Sequence, residues 1–325
     1  MSGVPRLWTI RRVLSVKVLV PGGAGFIGSW VVERLLGDGH EVVVFDNFST
    51  GDRRNLAGVL DDPHLSIVEG DIRDRDTVDR EAAGCQATVH LAAVTSVEEA
   101  TENPELACSV NVMGTLHLLD AARWNGHSRF VYASSVAVYG EPDRLPVSES
   151  QPPRPLSVYG ASKLAAEGLV HAYRHTYGLS TVALRLFNVY GPRQKKGTYA
   201  GVIQRFIQDS ASKGRITVDG DGGQTRDFVY VKDVADALVL ALGKDVGGAI
   251  NIGSGRATSI GRLAGTFARI KPGLKVTKGE PRAGDIRFSR ASIAMARARL
   301  GWRPTTPLGR GLAETLRYFS SVEQP

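Results

Sequence analysis

The chain has 325 residues, long enough for one large or two small domains with a sizeable apolar core, and its composition is ordinary for a globular protein. Lys and Arg number 40 against 33 Asp and Glu, and the resulting net charge of +7 fits either a phosphorylated partner or a solvated surface. The two cysteines form no Cys-x-x-Cys pattern, and no apolar run reaches membrane-spanning length. These features argue against a disulfide framework, a metal site and a membrane span, so we expect a cytoplasmic protein.

Residues 1–15 lack an apolar core of the signal-peptide type, and we expect a short N-terminal extension there. From residue 16 onward, short apolar runs alternate with amphipathic runs, which indicates a parallel sheet covered by helices on both faces. The predicted strands are Lys17–Val20, Glu41–Phe45, Ser66–Glu69, Thr88–Leu91, Phe130–Ala133 and Thr181–Leu186, and the main predicted helices are Ser29–Gly37, Pro104–Asn125 and Ser157–Tyr177.

A glycine cluster follows the first predicted strand and precedes the first helix. Gly22, Gly25 and Gly28 fit the spacing of a dinucleotide-binding turn, which needs a positive φ angle, a bare backbone near the pyrophosphate and a close helix–strand contact. The phosphates of such a ligand lie on the amide groups of the helix N-terminus. Pro21 precedes the glycines and removes one backbone donor, from which we expect only a modest effect on the turn.

An acidic residue, Asp46, ends the second predicted strand, where a carboxylate can bind ribose hydroxyls and repel a 2′-phosphate. This favours NAD over NADP, although Arg53 and Arg54 keep NADP open. Asp71 and Ile72 follow the third predicted strand, where Asp71 either contacts the adenine or caps the next helix.

The residues that carry chemistry are Ser135, Tyr159 and Lys163. Tyr159 and Lys163 lie four residues apart and so share one face of a helix. An ammonium group beside a phenol, together with a positive nicotinamide ring, lowers the pKa of the phenol and makes Tyr159 a general base. Ser135 ends the fifth strand, at the sheet edge where parallel sheets bind ligands, and its hydroxyl can bind the same substrate oxygen.

Together these patterns predict a Rossmann-type, doubly wound α/β fold. We expect an NAD-binding domain over residues 16–187 and a smaller α/β substrate-binding region over residues 188–325, because the chain becomes richer in Gly, Pro and Arg after about residue 190. Residues 225–252 are expected to return to the first domain, with a segment at Asp227–Ala241 rejoining its sheet.

The chain resembles the extended short-chain dehydrogenase/reductases, and within them the nucleoside-diphosphate-sugar 4-epimerases of the UDP-glucose 4-epimerase type. The resemblance covers residues 16–320, and its motifs are Gly-Gly-Ala-Gly-Phe-Ile-Gly (22–28), Asp-Asn-Phe-Ser-Thr-Gly (46–51), Gly-Asp-Ile-Arg-Asp (70–74), His-Leu-Ala-Ala (90–93), Ser-Ser-Val-Ala-Val-Tyr-Gly (134–140), Tyr-Gly-Ala-Ser-Lys (159–163), Arg-Leu-Phe-Asn-Val-Tyr-Gly-Pro-Arg-Gln (185–194), Gln-Thr-Arg-Asp-Phe-Val (224–229) and Arg-Ala-Gly-Asp-Ile-Arg (282–287).

The resemblance implies a role for each matching residue. Tyr159 is then the catalytic base, Lys163 binds the nicotinamide ribose, and Ser135 assists at O4. Asn111 supports the active-site helix and the cofactor region. The diphosphate is held by Asn188, Arg226 and Arg282. The implied NAD contacts are Gly22, Gly25, Phe26, Ile27, Gly28, Asp46, Asn47, Ser49, Gly51, Asp71, Ile72, Leu91, Ala92, Ala93, Asn111, Tyr159, Lys163 and Phe187. The implied substrate contacts are Ser96, Ser135, Tyr159, Asn188, Val202, Thr217, Arg226, Arg282, Asp285 and Ser289.

The implied reaction is epimerisation at C4 of a nucleotide sugar: Tyr159 takes the O4 proton, C4 passes a hydride to retained NAD⁺, and the 4-keto sugar turns over before the hydride returns. Val136 and Ala137 stand where dehydratases and decarboxylases of the family carry proton-transferring acids, which argues against both reactions. Asp219 replaces a common aromatic near the nucleobase and leaves thymidine open beside uridine, and the small Ser289 predicts room for an N-acetylated sugar.

The resemblance also implies a homodimer through the helices at Pro104–Asn125 and Ser157–Tyr177. Three alternatives stay open: another sugar-nucleotide enzyme of the family, such as a UDP-glucuronate 4-epimerase or a dTDP-sugar epimerase; a reductase that releases its cofactor; and a non-catalytic binder of NAD or RNA. We expect no nucleic-acid partner, because a binder gains nothing from a tuned phenol.

Overall fold

The computed structural model of the protein describes residues 15–195, 201–281 and 286–322. Its strands are β1 Lys17–Pro21, β2 Glu41–Asp46, β3 Leu65–Glu69, β4 Ala87–His90, β5 Arg129–Ser135, β6 Thr181–Leu186, β7 Asn188–Tyr190, β8 Arg215–Asp219, β9 Thr225–Arg226, β10 Phe228–Tyr230, β11 Ala249–Ile252, β12 Thr258–Ser259 and β13 Lys275–Gly279. Its α-helices are α1 Phe26–Gly37, α2 Arg75–Ala82, α3 Val97–Glu102, α4 Pro104–Cys108, α5 Thr115–Trp124, α6 Val158–Tyr177, α7 Val202–Ser212, α8 Val231–Leu242, α9 Ile260–Ile270 and α10 Leu308–Val322.

Seven parallel strands form the central sheet in the order β3-β2-β1-β4-β5-β6-β11. Successive side chains of a strand point to opposite faces, and here both faces are covered. Val18, Val20 and Val44 pack in one core with residues of α1 and α8. Leu19 and Phe45 pack in the other core with residues of α2, α5 and α6. This explains the continuous apolar runs of the sequence and confirms the predicted Rossmann-type α/β fold.

The six predicted strands and three main helices are confirmed, with ends that differ by a few residues. Between α4 and α5, residues Ser109–Gly114 form a π-helical turn, so one long helix runs over residues 104–124 with a local widening. Such turns recur at functional sites because they redirect side chains. Asn111 lies in this turn.

The segment predicted to rejoin the main sheet at Asp227–Ala241 does not contribute a strand to it. Within that range β10 pairs with β7 in a separate two-stranded sheet, and α8 packs against α1. The strand that joins the main sheet is β11, which pairs with β6. The predicted segment returns to the main sheet through α8, which packs against β4, β5 and β6.

A third core fills the later part of the chain. Phe206 of α7, Phe267 of α9 and Tyr190 of β7 are fully buried in it, and the rings of Phe206 and Phe267 meet edge to face at 5.5 Å. The short sheets β8–β13 and β9–β12 lie in the same part of the chain. Within the described ranges, none of the helices has the length and apolar character needed to span a membrane.

Candidate active site

The turn between β1 and α1 has positions that only glycine fits. Gly22 has φ +80°, and a Cβ atom there would lie 2.5 Å from the Ala92 backbone nitrogen. A Cβ atom at Gly28 would overlap the Gly22 carbonyl oxygen, so α1 begins directly against the turn. The α1 N-cap residue, Gly25, makes no side-chain cap, and the first amide groups of the helix are left for an anion. This cradle fits a dinucleotide pyrophosphate.

Pro21 causes no disruption of this turn. It is the last residue of β1, and its carbonyl oxygen accepts hydrogen bonds from the amides of Leu91 and Ala92, both at 2.9 Å. These bonds draw the end of β4 over the glycine turn. The predicted cofactor residues Leu91, Ala92 and Ala93 therefore lie half-buried beside Gly22.

Asp46 ends β2 with its carboxylate held by the backbone. One oxygen accepts the Ala24 amide at 3.0 Å, and the other accepts the Phe48 amide at 2.9 Å. Burial raises the pKa of Asp46, and these two bonds act against that rise. A Cβ atom on Gly51 would lie 2.8 Å from this carboxylate, so the loop closes tightly around it. Each oxygen keeps a further lone pair, which fits ribose hydroxyl donors.

Asp71 does not cap helix α2, because that role belongs to Asp74, which accepts the Thr77 amide. Arg73 binds the Asp71 carboxylate through two nitrogens at 2.9 and 2.8 Å and holds its pKa at about 2. Asn47 donates to the same carboxylate at 3.0 Å. The helix-cap alternative for Asp71 is therefore wrong. The hydrogen bond from Asn47 to Asp71 links the loop after β2 to the loop after β3.

Asn111 connects the cofactor side of the sheet to the catalytic helix. Its amide exchanges hydrogen bonds with the backbone of Val94 at 2.8 and 3.0 Å and donates to the Ser162 hydroxyl at 2.9 Å. Ser162 in turn donates to the carbonyl of Tyr159 at 2.8 Å. These contacts support the implied role of Asn111 as the residue that steadies the active-site helix.

Ser135, Tyr159 and Lys163 come together where β5 ends and α6 begins. Ser157 caps α6 by accepting the Gly160 amide at 3.0 Å, and Tyr159 lies in the first helical turn. Lys163 lies one turn further along α6, where its Nζ atom is 4.3 Å from the centre of the Tyr132 ring. Ser135 accepts the Ala137 amide at 3.2 Å and caps the short 3-10 turn Val136–Tyr139.

The charges of this group differ from the sequence expectation. Burial raises the pKa of Tyr159, and the hydrogen bond with Ser135 offsets only part of that rise. Burial lowers the pKa of Lys163 to about 7. The expected lowering of the Tyr159 pKa by Lys163 is therefore wrong for the protein chain alone, because desolvation dominates both groups. A general-base role then depends on a protonated Lys163 and on the positive charge of bound cofactor.

The implied diphosphate residues Asn188 and Arg226 lie on the short strands β7 and β9, which belong to different sheets. The backbone N–H of Asn188 donates to the Asp227 carbonyl at 3.1 Å. The Arg226 guanidinium donates to the carbonyls of Thr225 and Ile286 at 2.8 and 2.5 Å. The structure thus brings Asn188, Arg226 and the segment that begins at Ile286 together. Arg282 and Asp285 lie outside the described residues.

The remaining predicted contacts occupy varied positions. Ser289 is buried, Val202 begins α7, Thr217 lies in β8 within 3.1 Å of Thr277, and Phe187 is buried next to β11. Ser96 caps α3 by accepting the Glu99 amide at 3.0 Å. Asp219, the residue that replaces a common aromatic, binds Arg205 at 2.7 Å.

Asp227 is a site residue that sequence reasoning missed. Its side chain is fully buried, and its two oxygens accept the amides of Ser254, Gly255 and Ala291 and the Ser254 hydroxyl at 2.6 to 2.9 Å. These bonds fasten the loop after β11 and the 286–291 segment to Arg226. The only sequence signal was its place inside the Gln-Thr-Arg-Asp-Phe-Val motif.

Within residues 15–195, 201–281 and 286–322, no three His, Cys, Asp or Glu side chains come close enough together to hold one ion. Cys85 and Cys108 are both free thiols.

The glycine cradle, the ribose-binding acid and the Ser-Tyr-Lys group define a dinucleotide-dependent enzyme of the Rossmann class. The model of the NAD dependent epimerase/dehydratase family matches residues 18–253. The chain belongs to this family and uses NAD.

Similarity to individual proteins extends over nearly the whole chain. A UDP-glucose 4-epimerase from Mycolicibacterium smegmatis is 40% identical over 314 residues, which cover 95% of this chain and 100% of that protein. The structure of a UDP-N-acetylglucosamine 4-epimerase from Methanobrevibacter ruminantium superposes with a TM-score of 0.91 at 34% identity and covers 95% of this chain and 99% of its own. The structure of a UDP-glucose 4-epimerase from Thermus thermophilus in complex with NAD superposes with a TM-score of 0.84 at 38% identity. The match covers 94% of this chain and 99% of that chain.

Other members of the family are similar as well. The structure of a dTDP-glucose 4,6-dehydratase from Streptomyces venezuelae gives a TM-score of 0.86 at 34% identity and covers 94% of this chain and 97% of its own. Fold and overall similarity therefore do not separate epimerases from dehydratases, and the separation has to come from the site.

Proposed function

We propose that this protein catalyses the NAD-dependent 4-epimerisation of a nucleotide sugar, with UDP-glucose and UDP-galactose as the favoured pair. The observation that carries this proposal is the Ser135, Tyr159 and Lys163 group beside the glycine cradle, next to a 3-10 turn whose first residues are Val136 and Ala137. A dehydratase or decarboxylase needs an acid at that turn to move a second proton, and neither alkyl side chain transfers protons.

Bound NAD supplies the hydride exchange at C4. Tyr159 takes the proton from the O4 hydroxyl and gives it back after the sugar has turned over, so its phenol begins and ends the cycle in the same state. Ser135 binds O4 and orients it toward Tyr159. Lys163, when protonated, stabilises the phenolate, because a cation in a buried site favours the charged form of its neighbour. Its desolvation makes that interaction stronger than it would be in water.

Inversion requires that the sugar rotate while the nucleotide stays in place. Asn188 and Arg226 are proposed to hold the diphosphate, with Arg282 as a second guanidinium and Asp285 beside it. Ser96, Val202, Thr217 and Ser289 are proposed to line the sugar and the nucleoside. Anchoring at the diphosphate alone leaves C4 free to present either face.

The sugar pocket supports a second substrate class, the 2-acetamido sugars. The small, buried Ser289 leaves more room beside the sugar than a bulky residue would. A structural relative with a TM-score of 0.91 is itself a UDP-N-acetylglucosamine 4-epimerase. UDP-glucuronate and dTDP-linked sugars remain further candidates.

The discriminating experiment incubates the purified protein, without added cofactor, with UDP-glucose, UDP-N-acetylglucosamine, UDP-glucuronate and dTDP-glucose. We expect conversion of the UDP-hexoses to their C4 epimers and release of NAD, not NADP, when the protein is denatured. Formation of a 4-keto-6-deoxy sugar or of a pentose would replace epimerisation by dehydration or decarboxylation. Dependence on added NADPH would indicate a reductase.

A non-catalytic role in binding RNA is the alternative from another class. It rests only on the net charge of +7. Such binding would have to persist at physiological salt, because phosphate contacts weaken steeply as salt rises. A protein that turned over no sugar nucleotide and bound RNA under those conditions would fit this alternative.

We also propose that the protein is a homodimer in the cytoplasm. The outer surface of the helices at residues 104–124 and of α6 exposes Met113, Trp124 and Tyr177, with 47%, 69% and 45% of their surface accessible. Side chains of this size are usually covered by a partner. The two free thiols support a reducing compartment.

A further inference from the structure

Helix α6 carries a third ionisable residue in line with Tyr159 and Lys163. Glu167 lies one turn beyond Lys163, and spacing by four residues places all three on one side of the helix. Only 4% of Lys163 and 8% of Glu167 is accessible to solvent. A carboxylate is rarely buried to this degree without a structural or functional reason.

Glu167 joins the catalytic helix to two strands. The Ser134 hydroxyl of β5 donates to its Oε2 atom at 2.7 Å. The Arg185 guanidinium of β6 donates to both carboxylate oxygens, through Nε at 3.2 and 3.1 Å and through a second nitrogen to Oε1. Ser134 and Ser135 are consecutive in a strand and point to opposite faces. Glu167 therefore holds the residue directly before Ser135.

Glu167 is also the acidic group that acts on Lys163. The groups that act on Lys163 from the packed elements are the Tyr132 ring of β5, His90 of β4 and Glu167. Tyr159 lies one helical turn before Lys163 in α6. Burial lowers the pKa of His90 well below its usual range, so this imidazole is neutral. Burial lowers the pKa of Lys163 as well, and Glu167 raises it in opposition.

We propose that Glu167 is a positioning residue of the active site, which keeps Lys163 protonated and ties the Ser135 end of β5 to the catalytic helix. The catalytic part of this inference rests on the proposed epimerase function. The charge of Lys163 does not, because it follows from burial and from the neighbouring carboxylate alone. Arg185 forms a buried ion pair with the Glu167 carboxylate.

The direct test is the titration of Lys163 in protein labelled with ¹³C at the lysine Cε atoms, with the Lys163 signal assigned from a Lys163→Met variant. Glu167→Gln keeps the shape of the side chain and an oxygen that accepts from Ser134, but removes the charge. We expect the midpoint of the Lys163 titration to move to lower pH by about half a unit or more. Ser134→Ala, which keeps the carboxylate, is the matched control and should leave the midpoint in place.

The second readout is the pH dependence of kcat for the epimerisation. In Glu167→Gln, Lys163 should lose its charge at lower pH, so the alkaline limb of the kcat profile should also move to lower pH. KM should be nearly unchanged, because the diphosphate contacts are intact. A uniform fall in kcat at every pH would mean a purely structural brace and would overturn the electrostatic role. The exposed Glu105→Gln should behave as the parent.

Two further outcomes are separable. If Glu167→Gln does not fold because Arg185 is left buried without a partner, Glu167→Gln combined with Arg185→Gln removes both charges and should still lower the Lys163 midpoint. An unchanged midpoint in either folded variant overturns the proposal. If the parent turns over no sugar nucleotide, the proposed function fails, while the Lys163 titration still decides the role of Glu167.

Discussion

The proposed chemistry depends on Tyr159, and its buried surroundings do not by themselves favour the phenolate that a general base requires. Burial raises the pKa of its phenol, and Ser135 lowers it only in part. Lys163 is desolvated too, and burial lowers its pKa to about 7, while the positive charge of bound NAD⁺ would lower the pKa of the phenol. Ionisation of Tyr159 is therefore more favourable in the protein with bound NAD⁺ than in the protein chain alone.

Replacement of Tyr159 by Phe should reduce kcat at least about 100-fold, because general-base catalysis commonly contributes two to four orders of magnitude. The ring and its packing are kept, so the folded structure should be unaffected. The measurement is epimerisation of the best substrate of the panel. Tyr177→Phe, at the exposed end of the same helix, is the control and should retain the parent rate. A Tyr159→Phe protein as fast as the parent would make the proposed mechanism untenable.

Asp227 offers a test of the diphosphate region. Asp227→Asn replaces an acceptor of four hydrogen bonds by a group that turns one donor toward backbone amides. We expect the free energy of unfolding to fall by about 2 kcal/mol or more and KM to rise more than kcat falls, because Arg226 is adjacent. Urea unfolding and steady-state kinetics measure the two effects. Asp61→Asn, at an exposed turn, should change neither.

The part of the site that sequence alone predicted is the part made by local geometry. The glycine positions of the turn after β1 depend on residues close together in the chain, and so does the helix that places Tyr159 and Lys163 on one face. Asp227, Glu167 and Arg185 were not found, because their importance comes from partners far away in sequence that become neighbours only when β5, β6 and β11 align.

Helix α6 is the element that places the catalytic residues, and its first turn is fixed by Ser157. Ser157→Ala removes the cap on the Gly160 amide and should cost about 1 kcal/mol of stability. It should also lower kcat, because Tyr159 lies in the loosened turn. Ser157→Asp, which can still cap, should restore most of both.

The control for this prediction is another serine cap in the same protein. Ser259 caps α9 by accepting the Arg262 amide at 3.1 Å, in a helix that carries none of the proposed catalytic residues. Ser259→Ala should lose a similar amount of stability and leave kcat unchanged. Equal effects of the two substitutions on kcat would show that general destabilisation, and not the local cap, limits the rate.

Among the helices and strands, the sequence predicted those whose apolar pattern is long and regular. The strands of the first domain came out within a few residues because a strand buried on both faces is a continuous apolar run. The two-residue strands β9 and β12 were not found, since so few residues carry no periodicity. The π turn at Ser109–Gly114 was also invisible, because its residues suit an ordinary helix equally well.

On the scale of the whole molecule, the chain builds a core on each face of the central sheet and a third core in its later part. The central sheet provides the cofactor cradle and the Ser-Tyr-Lys group, and the third core includes Tyr190 of β7, the strand that carries Asn188, and Phe228, two residues after Arg226. β11 returns to the central sheet after the second region has begun, so the chain passes between the two regions more than once. That path fixes the two halves of the proposed site relative to each other.

A substitution on the outer face of α6 can test the proposed dimer. Ala161, Ala165, Gly168 and Ala172 are small and exposed there, which would let a second pair of helices approach closely, and Trp124 lies exposed on the neighbouring α5. Ala165→Glu would place an unpaired charge in such an interface, and desolvation of that charge should shift the protein from dimer to monomer. Sedimentation velocity at micromolar concentration measures the change. Ala211→Glu on the exposed side of α7 is the control and should leave the parent state intact; a dimer that survives Ala165→Glu must use a different surface.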